Sequence, residues 1–494
     1  MNKMKSKVYL VGAGPGDYKL LTIKALECIK KADVIIYDNL VNKSCLREAK
    51  DGCELIYVGK KPNHHIMSQD KINNLLLSKA HEGEEPKIIV RLKGGDPYVF
   101  GRGAEEGEFL HKNNILFETV PGVTSAIAGL CYAGIPVTHR NHSSSFHVIT
   151  GHLKANGREH DWGTLAKING TLVFLMGARN LHTIVNNLIA RGKPKNTPIA
   201  VVTSATMPTQ KTVISTLEHI CAKIKKEECN PPALIAIGDV VSLRDSLNFY
   251  ERQPLFGKNI MVTRATNQNS EMIKKIADMG GNAIEVPTIK INKIFDNEEL
   301  GREINNLQKY QYLIFGSANG VNIFFDKLQE MGYDSRILHG IKIGVSGSQT
   351  AKALLHKGIK ADIVPKTYTQ EALAAEIAKS AKQTDRILVP KAKKTRGVLA
   401  STLNNVTEVD IYETVMETSQ KETVIQNLKI TDYLTFTSSS AVVNFMELLG
   451  SGDIPENVKI VSIGPITSQT ILGYNLEIYK EAEVSTIDSL LSVL

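Results

Sequence analysis

Short apolar runs alternating with amphipathic stretches dominate the chain. Residues 8–11 form an apolar run that predicts a strand, and 34–37 predict another, ending at Asp38. Between them Leu21, Ala25, Cys28 and Ile29 recur at helical spacing, so a helix is expected over 20–30. Ser68 fits the N-cap of a helix running to about residue 79, and residues 88–90 and 104–112 read as a further strand and helix. A second series follows, with strands expected over 146–150, 171–176, 199–203 and 233–237. Its helix, 181–191, is closed by Gly192. The pattern breaks at 249–258, where residues 251–258 are assigned as an inter-domain linker, and a new series of strands and helices begins at Asn259. The chain is therefore expected to be α/β throughout. Its first domain covers 1–250, with subdomains of about 1–135 and 136–250, and its second covers 259–494.

The second domain repeats itself. Tyr312 to Ser317, followed by Val321, Phe324 and Leu328, matches Tyr433 to Ser438, followed by Val442, Phe445 and Leu449. Gly347 and Thr350 match Gly464 and Thr467, the helices they begin end near Gly358 and Asn475, and Thr369 and Leu373 match Thr486 and Leu490. The repeat is far longer than a solenoid unit. It predicts two similar α/β lobes, the central one over about 290–411, able to close on a ligand.

Composition narrows the class. A 494-residue chain of ordinary apolar content can build full cores. Its net charge of +8 suits an acidic partner, but no basic block is present and there is a single Trp, so nucleic acid is not expected. None of the six cysteines forms a Cys-x-x-Cys pair, which points to reduced thiols and a cytoplasmic protein without a metal centre. The run at 8–11 is too short for an export signal or a membrane span.

Candidate chemistry gathers in the first domain. Residues 91–103, Arg-Leu-Lys-Gly-Gly-Asp-Pro-Tyr-Val-Phe-Gly-Arg-Gly, join a strand to a helix, the usual ligand-facing end of a parallel sheet. Adjacent Gly94 and Gly95 allow close backbone approach. Residues 12–17, Gly-Ala-Gly-Pro-Gly-Asp, resemble a dinucleotide-binding turn with Asp38 about 20 residues on, but Asp17 occupies the third glycine position and would repel a pyrophosphate. Lys60, Lys61, His64 and His65 form a cationic cluster suited to an anion; a metal there would lack a third ligand.

Several motifs in order carry a resemblance. Val-Gly-Ala-Gly-Pro-Gly-Asp at 11–17, Tyr-Asp-Asn-Leu-Val at 37–41, Val-Gly-Lys at 58–60, the 91–103 stretch, Pro-Gly-Val-Thr-Ser-Ala at 121–126 and Gly-Ile-Pro-Val-Thr-His-Arg at 134–140 resemble uroporphyrinogen-III C-methyltransferase of the tetrapyrrole methylase superfamily. Residues 258–494 resemble uroporphyrinogen-III synthase through the paired lobes, Val-Thr-Arg-Ala at 262–265, Ile-Tyr-Glu-Thr at 411–414 and Phe-Thr-Ser-Ser-Ser at 436–440. The resemblance implies a two-subdomain tetrapyrrole methylase fold followed by a bilobed α/β synthase fold. It also implies a bifunctional enzyme that cyclises hydroxymethylbilane to uroporphyrinogen III and methylates that product at C2 and C7 to precorrin-2. An active methylase with a C-terminal binding or sensor module is the alternative.

The resemblance further implies S-adenosyl-L-methionine as methyl donor, no cofactor in the synthase half, tetrapyrrole substrates and a homodimer formed through the methylase domain. Donor contacts carried over by position are Pro15, Gly94, Gly95, Asp96 and Val99, with Thr124, Ser125, Met176 and Ala205. Asp38 matches the family's proton acceptor and Lys60 its proton donor, although both can be read as plain substrate contacts. Eight substrate carboxylates give Lys61, Arg91, Arg102 and Arg140 an electrostatic use, and Arg91, Arg102 and Lys93 can equally be structural pairs. In the second half Tyr412 matches a recurrent tyrosine, read as assisting loss of hydroxide or as core. Backbone N–H groups near Ser317, Ser438 and Ser439 are candidate carboxylate binders at helix N-termini.

Overall fold

The computed structural model describes every residue except 1–5, 60–66, 152–158, 228–231, 264–269, 287, 295, 368, 396, 417–420 and 451. Lys60, Lys61, His64 and His65 thus lie outside the described residues, as do Arg264 and Ala265. The chain divides into two compact units, one of residues 1–258 with 275–282 and one of 259–274 with 283–494.

The first unit holds two five-stranded sheets. Strands β1 (Lys7–Gly12), β2 (Val34–Tyr37), β3 (Glu54–Tyr57), β4 (Ile88–Lys93) and β5 (Leu116–Val120) form one, in the order β3-β2-β4-β1-β5 and parallel throughout. Helices cover both faces, so the strands are apolar in both directions. Val8, Leu10, Ile36 and Ile89 pack on one side and Val11, Ile35, Val90 and Leu92 on the other, all essentially fully buried. Each such side chain contributes about 1.5–3 kcal/mol. The first crossover departs from the expected 20–30 helix. Asp17 caps a 3-10 turn at Tyr18–Leu20, and Thr22, accepting from the Ala25 N–H at 3.1 Å, starts the α-helix afresh at Ile23–Lys31.

Strands β6 (Phe146–Thr150), β7 (Thr171–Leu175), β8 (Pro198–Thr203), β9 (Lys211–Thr216) and β10 (Ala233–Ile237) form the second sheet, in the order β6-β7-β10-β8-β9. Only β6 and β7 run parallel; the other pairings are antiparallel. Strand β9, Lys-Thr-Val-Ile-Ser-Thr, is absent from the sequence-based expectation because four of its six residues are polar, as an edge strand tolerates.

The expected linker is not a tether. Tyr250 and Leu255 are 6% and 2% exposed, and the Tyr250 ring lies 4.7 Å from that of Tyr132. Glu251 pairs with Arg244 and accepts hydrogen bonds from Gln210 (2.8 Å) and Thr212 (2.6 Å). The stretch straps onto the first unit because it carries its own apolar anchors.

The second unit contains β11 (Asn259–Val262), β12 (Asn282–Glu285, all but its first residue), β13 (Ile289–Lys293), β14 (Tyr312–Phe315), β15 (Lys342–Val345), β16 (Ile387–Ala392), β17 (Val406–Met416), β18 (Tyr433–Phe436), β19 (Lys459–Ser462) and β20 (Lys480–Glu481). They form two sheets, β12-β11-β18-β19-β20 and β13-β17-β16-β14-β15. The internal repeat is structural. After β14 and β18, Ser317 and Ser438 cap helices Ala318–Glu330 and Ser439–Leu449 with nearly the same backbone angles (φ −160 and −168, ψ 157 and 158). Gly347 and Gly464 precede the next helices, and Gly358 and Asn475 beyond them both take left-handed φ, 82 and 57. Thr369 and Thr486 cap the following pair.

Candidate active site

In the first unit a cleft of about 850 Å³ opens where the loops after β1 and β4 leave the sheet. These strands are parallel neighbours, so both loops emerge from the same edge. Gly14 and Gly95 lock them together through paired backbone hydrogen bonds of 3.2 and 2.7 Å. Both need left-handed φ, 77 and 69. The 121–124 loop presses in from the other side: a Cβ on Gly122 would lie 2.3 Å from the Gly95 carbonyl oxygen. Asp96 holds this junction. Its Oδ1 accepts from the N–H groups of Tyr98 (2.8 Å) and Val99 (3.2 Å), and its Oδ2 from that of Gly122 (2.9 Å). A carboxylate has about four acceptor positions, so roughly one remains for a ligand.

Along the floor of the cleft runs a chain of ionic groups. Arg91 and Lys93 project from the same face of β4 and are 3% and 4% exposed. Glu106, on the helix Gly103–Lys112, meets them from above and is fully buried. It accepts from Lys93 Nζ at 2.9 and 3.0 Å, Arg91 Nε at 3.3 Å and Gln69 Nε2 at 3.0 Å. Arg91 Nη1 donates to the carbonyls of Ile36 and Leu92, and its Nη2 reaches Asp38 Oδ2 at 3.2 Å. Asp38, at the end of β2, also accepts from the Leu40 N–H at 3.1 Å. Burial, reinforced by the Arg91 charge, lowers the Lys93 pKa although Glu106 pulls it upward.

The opposite wall comes from the second sheet. Met176 follows β7, and Ser204 and Ala205 follow β8. Met176, Ser204 and Thr206 hold positive φ (57, 46 and 67), as do Phe100 and Arg102 on the facing loop (55 and 60). Non-glycine residues resist this conformation, so surrounding bonds must hold them in it. One such set fixes Thr206: its N–H donates to Gln210 (2.8 Å), its hydroxyl oxygen accepts from the Asp17 N–H (2.9 Å) and its carbonyl accepts from the Tyr250 hydroxyl (3.2 Å). The Tyr132 hydroxyl donates to Asp17 Oδ2 at 2.9 Å. Asp17, which spoiled the dinucleotide pattern, therefore ties the first subdomain to the second.

The second unit has its own small hollow, about 60 Å³, at the ends of β14 and β16. Ser317 and Tyr412 line it and share a 2.9 Å hydrogen bond. Burial raises the Tyr412 pKa, and its bond to Ser317 works against that rise. Lys391, also at its rim, is paired with Asp410 at 2.8 Å and Glu408 at 3.6 Å. Ser438 and Ser439 lie away from this hollow, in the other lobe, where Ser438 caps its helix and Ser439 donates to the Ile466 carbonyl at 3.1 Å. Among the described residues no cluster of three His, Cys, Asp or Glu can hold a metal, and no helix is long and apolar enough to cross a membrane.

Comparison with known proteins follows the same division. Residues 7–221 match the family model for tetrapyrrole (corrin/porphyrin) methylases, and residues 270–492 that for uroporphyrinogen-III synthase HemD. A porphyrin biosynthesis protein HemD from Ruminiclostridium josui is 41% identical over 498 residues, covering 99% of this chain and 97% of that one. The chain belongs to the tetrapyrrole methylases, joined to a uroporphyrinogen-III synthase. Its methylase half is 51% identical to a uroporphyrinogen-III C-methyltransferase of Priestia megaterium, over 48% of this chain and 98% of that one. It is 49% identical to an S-adenosyl-L-methionine-dependent uroporphyrinogen III methyltransferase of Methanosarcina barkeri, over 49% and 94%.

Within the methylase half, one cleft gathers most of the residues singled out from sequence: Pro15, Asp38, Arg91, Gly94, Gly95, Asp96, Val99, Arg102, Thr124, Ser125, Met176 and Ala205. Arg140 is exposed and lies outside the cleft lining. Arg91 departs from its reading as a free substrate cation, because both edges of its guanidinium are engaged inside the protein; Lys93 is likewise paired. Arg102 pairs with Glu105 at 2.6 Å, but that pair is half exposed and easily exchanged. Two residues were missed. Arg179, on the second-subdomain wall, is exposed and has no side-chain partner among the described residues. Glu106 carried a visible signal: it shares the apolar stripe of its helix with Gly103, Gly107 and Leu110, where a carboxylate is out of place.

Proposed function

We infer that this chain cyclises hydroxymethylbilane to uroporphyrinogen III in its second half and methylates uroporphyrinogen III at C2 and C7 in its first, giving precorrin-2. The observation that carries the reading is the cleft, which sets a glycine-built backbone cradle beside an ionic floor ending in Asp38. S-adenosyl-L-methionine, when bound, supplies an electrophilic methyl on a cationic sulfur. The residues fit such a donor. Nothing lies within 4 Å of where a Gly95 Cβ would stand, so the backbone there is open to a ligand, and the cleft volume is that of a small-molecule site. Pro15, Gly94, Gly95 and Val99 would hold it from the first subdomain, with Thr124 and Ser125, while Met176 and Ala205 would close over it from the second. The remaining acceptor position of Asp96 suits a hydroxyl donor.

Asp38 is proposed as the group that takes the proton released once the ring carbon has been alkylated. It is partly exposed, so it can pass that proton to solvent. Arg179 and Arg102 are proposed to meet substrate carboxylates, since Arg91 and Lys93 are already paired. Lys60, Lys61 and Arg140 keep their proposed roles on sequence grounds alone. In the synthase half, the Tyr412 phenol is held protonated by burial and is proposed to assist departure of the substrate hydroxyl, with Ser317 fixing its direction. The proposal includes a cytoplasmic enzyme paired through its methylase half, and assigns residues 1–258 and 259–494 to the two activities.

The test supplies hydroxymethylbilane with methyl-labelled donor. A doubly labelled tetrapyrrole is expected from the whole protein. Asp38→Ala should stop at unmethylated uroporphyrinogen III while still binding the donor, and Tyr412→Phe should slow only the cyclisation. Methylation of supplied uroporphyrinogen III without consumption of hydroxymethylbilane would remove the synthase assignment.

A further inference from the structure

We propose that Glu106 is a positioning residue for methyl transfer, acting through Arg91 to hold Asp38 toward the substrate. The inference rests on the reading of Asp38 as proton acceptor. Its basis is a buried arrangement that packing alone does not require. Glu106 has no exposed surface, and two cations of β4 converge on it. Burying ions is costly, and an apolar cluster would generally stabilise this helix–sheet contact as well or better.

Geometry says what the ionic cluster adds. A guanidinium is planar, with its donors in a fixed fork. Glu106 holds Nε at 3.3 Å, and the carbonyl oxygens of Leu92 (2.9 Å) and Ile36 (3.3 Å) hold Nη1. With those positions set, Nη2 has one direction left, and Asp38 Oδ2 stands there at 3.2 Å. The Leu40 N–H fixes the other oxygen at 3.1 Å. Asp38 is thus held at two points, one from its own loop and one from the buried cluster. Glu106 is itself braced: Lys93 bridges both its oxygens, and Gln69 donates to Oε1 while also bonding Asn73 at 3.0 Å. The formal charges of Asp38, Glu106, Arg91 and Lys93 balance, two against two. Without Glu106 only the Nη1 bonds to the Leu92 and Ile36 carbonyls would hold the guanidinium, and its released Nε edge could turn toward Asp38, drawing the carboxylate down toward the floor of the cleft.

The experiment uses the full-length protein with uroporphyrinogen III and S-adenosyl-L-methionine. Glu106→Gln keeps an acceptor oxygen but removes the charge. Since it leaves two buried cations short of a partner, Arg91→Lys is the second variant: the charge stays and Glu106 keeps Lys93, but an ammonium cannot span Glu106 and Asp38 together. For each folded variant, kcat is expected to fall about a hundredfold, the scale of an ångström's misplacement of a reacting group. The KM for uroporphyrinogen III and the Kd for S-adenosyl-L-homocysteine should change by less than about threefold, because the donor cradle is untouched. Unchanged kcat in Arg91→Lys overturns the proposal, as does a fall in kcat matched by an equal loss of S-adenosyl-L-homocysteine binding. Asp38→Ala separates the two readings. If it turns over at full rate, the Asp38 assignment itself is lost. If it is inactive while Arg91→Lys and Glu106→Gln are not, only the role of Glu106 is lost.

Discussion

Tyr132 and Asp17 show how single side chains hold the methylase cleft. The Tyr132 hydroxyl is partly buried and donates to a carboxylate, a bond type worth about 1.5–3 kcal/mol. Burial first, and the Asp17 charge second, push the phenols of Tyr132 and Tyr250 above their ordinary value of 10.0. The sign follows: while the unfolded chain ionises near pH 10, the folded phenols keep their protons. Their contribution is whole below pH 10 and is lost as pH rises through the higher folded values. The single tryptophan, Trp162, lies in the first unit, so its fluorescence follows that unit alone. Tyr132→Phe is expected to lower the first unit's unfolding free energy by about 1.5 kcal/mol at neutral pH. It should also flatten the decline above pH 10, as read by Trp162 fluorescence in urea at a series of pH values. A variant with the wild-type alkaline decline would remove Tyr132 from this account.

At the level of elements, the paired caps of the synthase half offer an internal comparison. Ser317 and Ser438 begin equivalent helices, each accepting from the N–H three residues on, at 3.0 and 3.2 Å. Ser438→Ala should cost about 1 kcal/mol, the usual worth of an N-cap. Ser317→Ala should cost about 1–3 kcal/mol more, because it strands the Tyr412 hydroxyl in a buried site. Denaturant unfolding of the second unit by circular dichroism, at constant Trp162 fluorescence, measures both; equal losses would mean that Tyr412 does not depend on Ser317. These caps were legible in sequence because the repeat aligned them. The glycines at 94, 95 and 122 were legible too, since backbone contact leaves few other residues possible. What sequence could not show was partnership. Arg91 reads as a cation in a ligand loop, and only the fold reveals Glu106 above it and Asp38 beyond it. Asp17 read as an obstacle because its partners, Tyr132 and Thr206, are 115 and 189 residues away. Strand β9 escaped because an edge strand needs little apolar surface.

Across the whole molecule the chain is laid out unevenly. The methylase half completes its first sheet within residues 7–120 and its second within 146–237, so each follows sequence order locally. In the synthase half the central sheet, β13 to β17, is one continuous passage. The other sheet is split around it: β11 and β12 come before, and β18 to β20 after. The hydrogen bond from the Asn259 N–H to Asp432, beside the β11–β18 pair, spans 173 residues. That layout imposes a timetable on the ribosome. At roughly 5–20 residues per second, β11 waits about 9–35 s for its neighbour β18 to be made, while the central lobe can already close. Proteolysis of stalled nascent chains should therefore find residues 289–416 protected at lengths where 259–262 are still cut, and simultaneous protection of the two would contradict it. For that interval the half-built lobe presents an unpaired strand edge, the kind of surface that pairs with other chains and that chaperones shield.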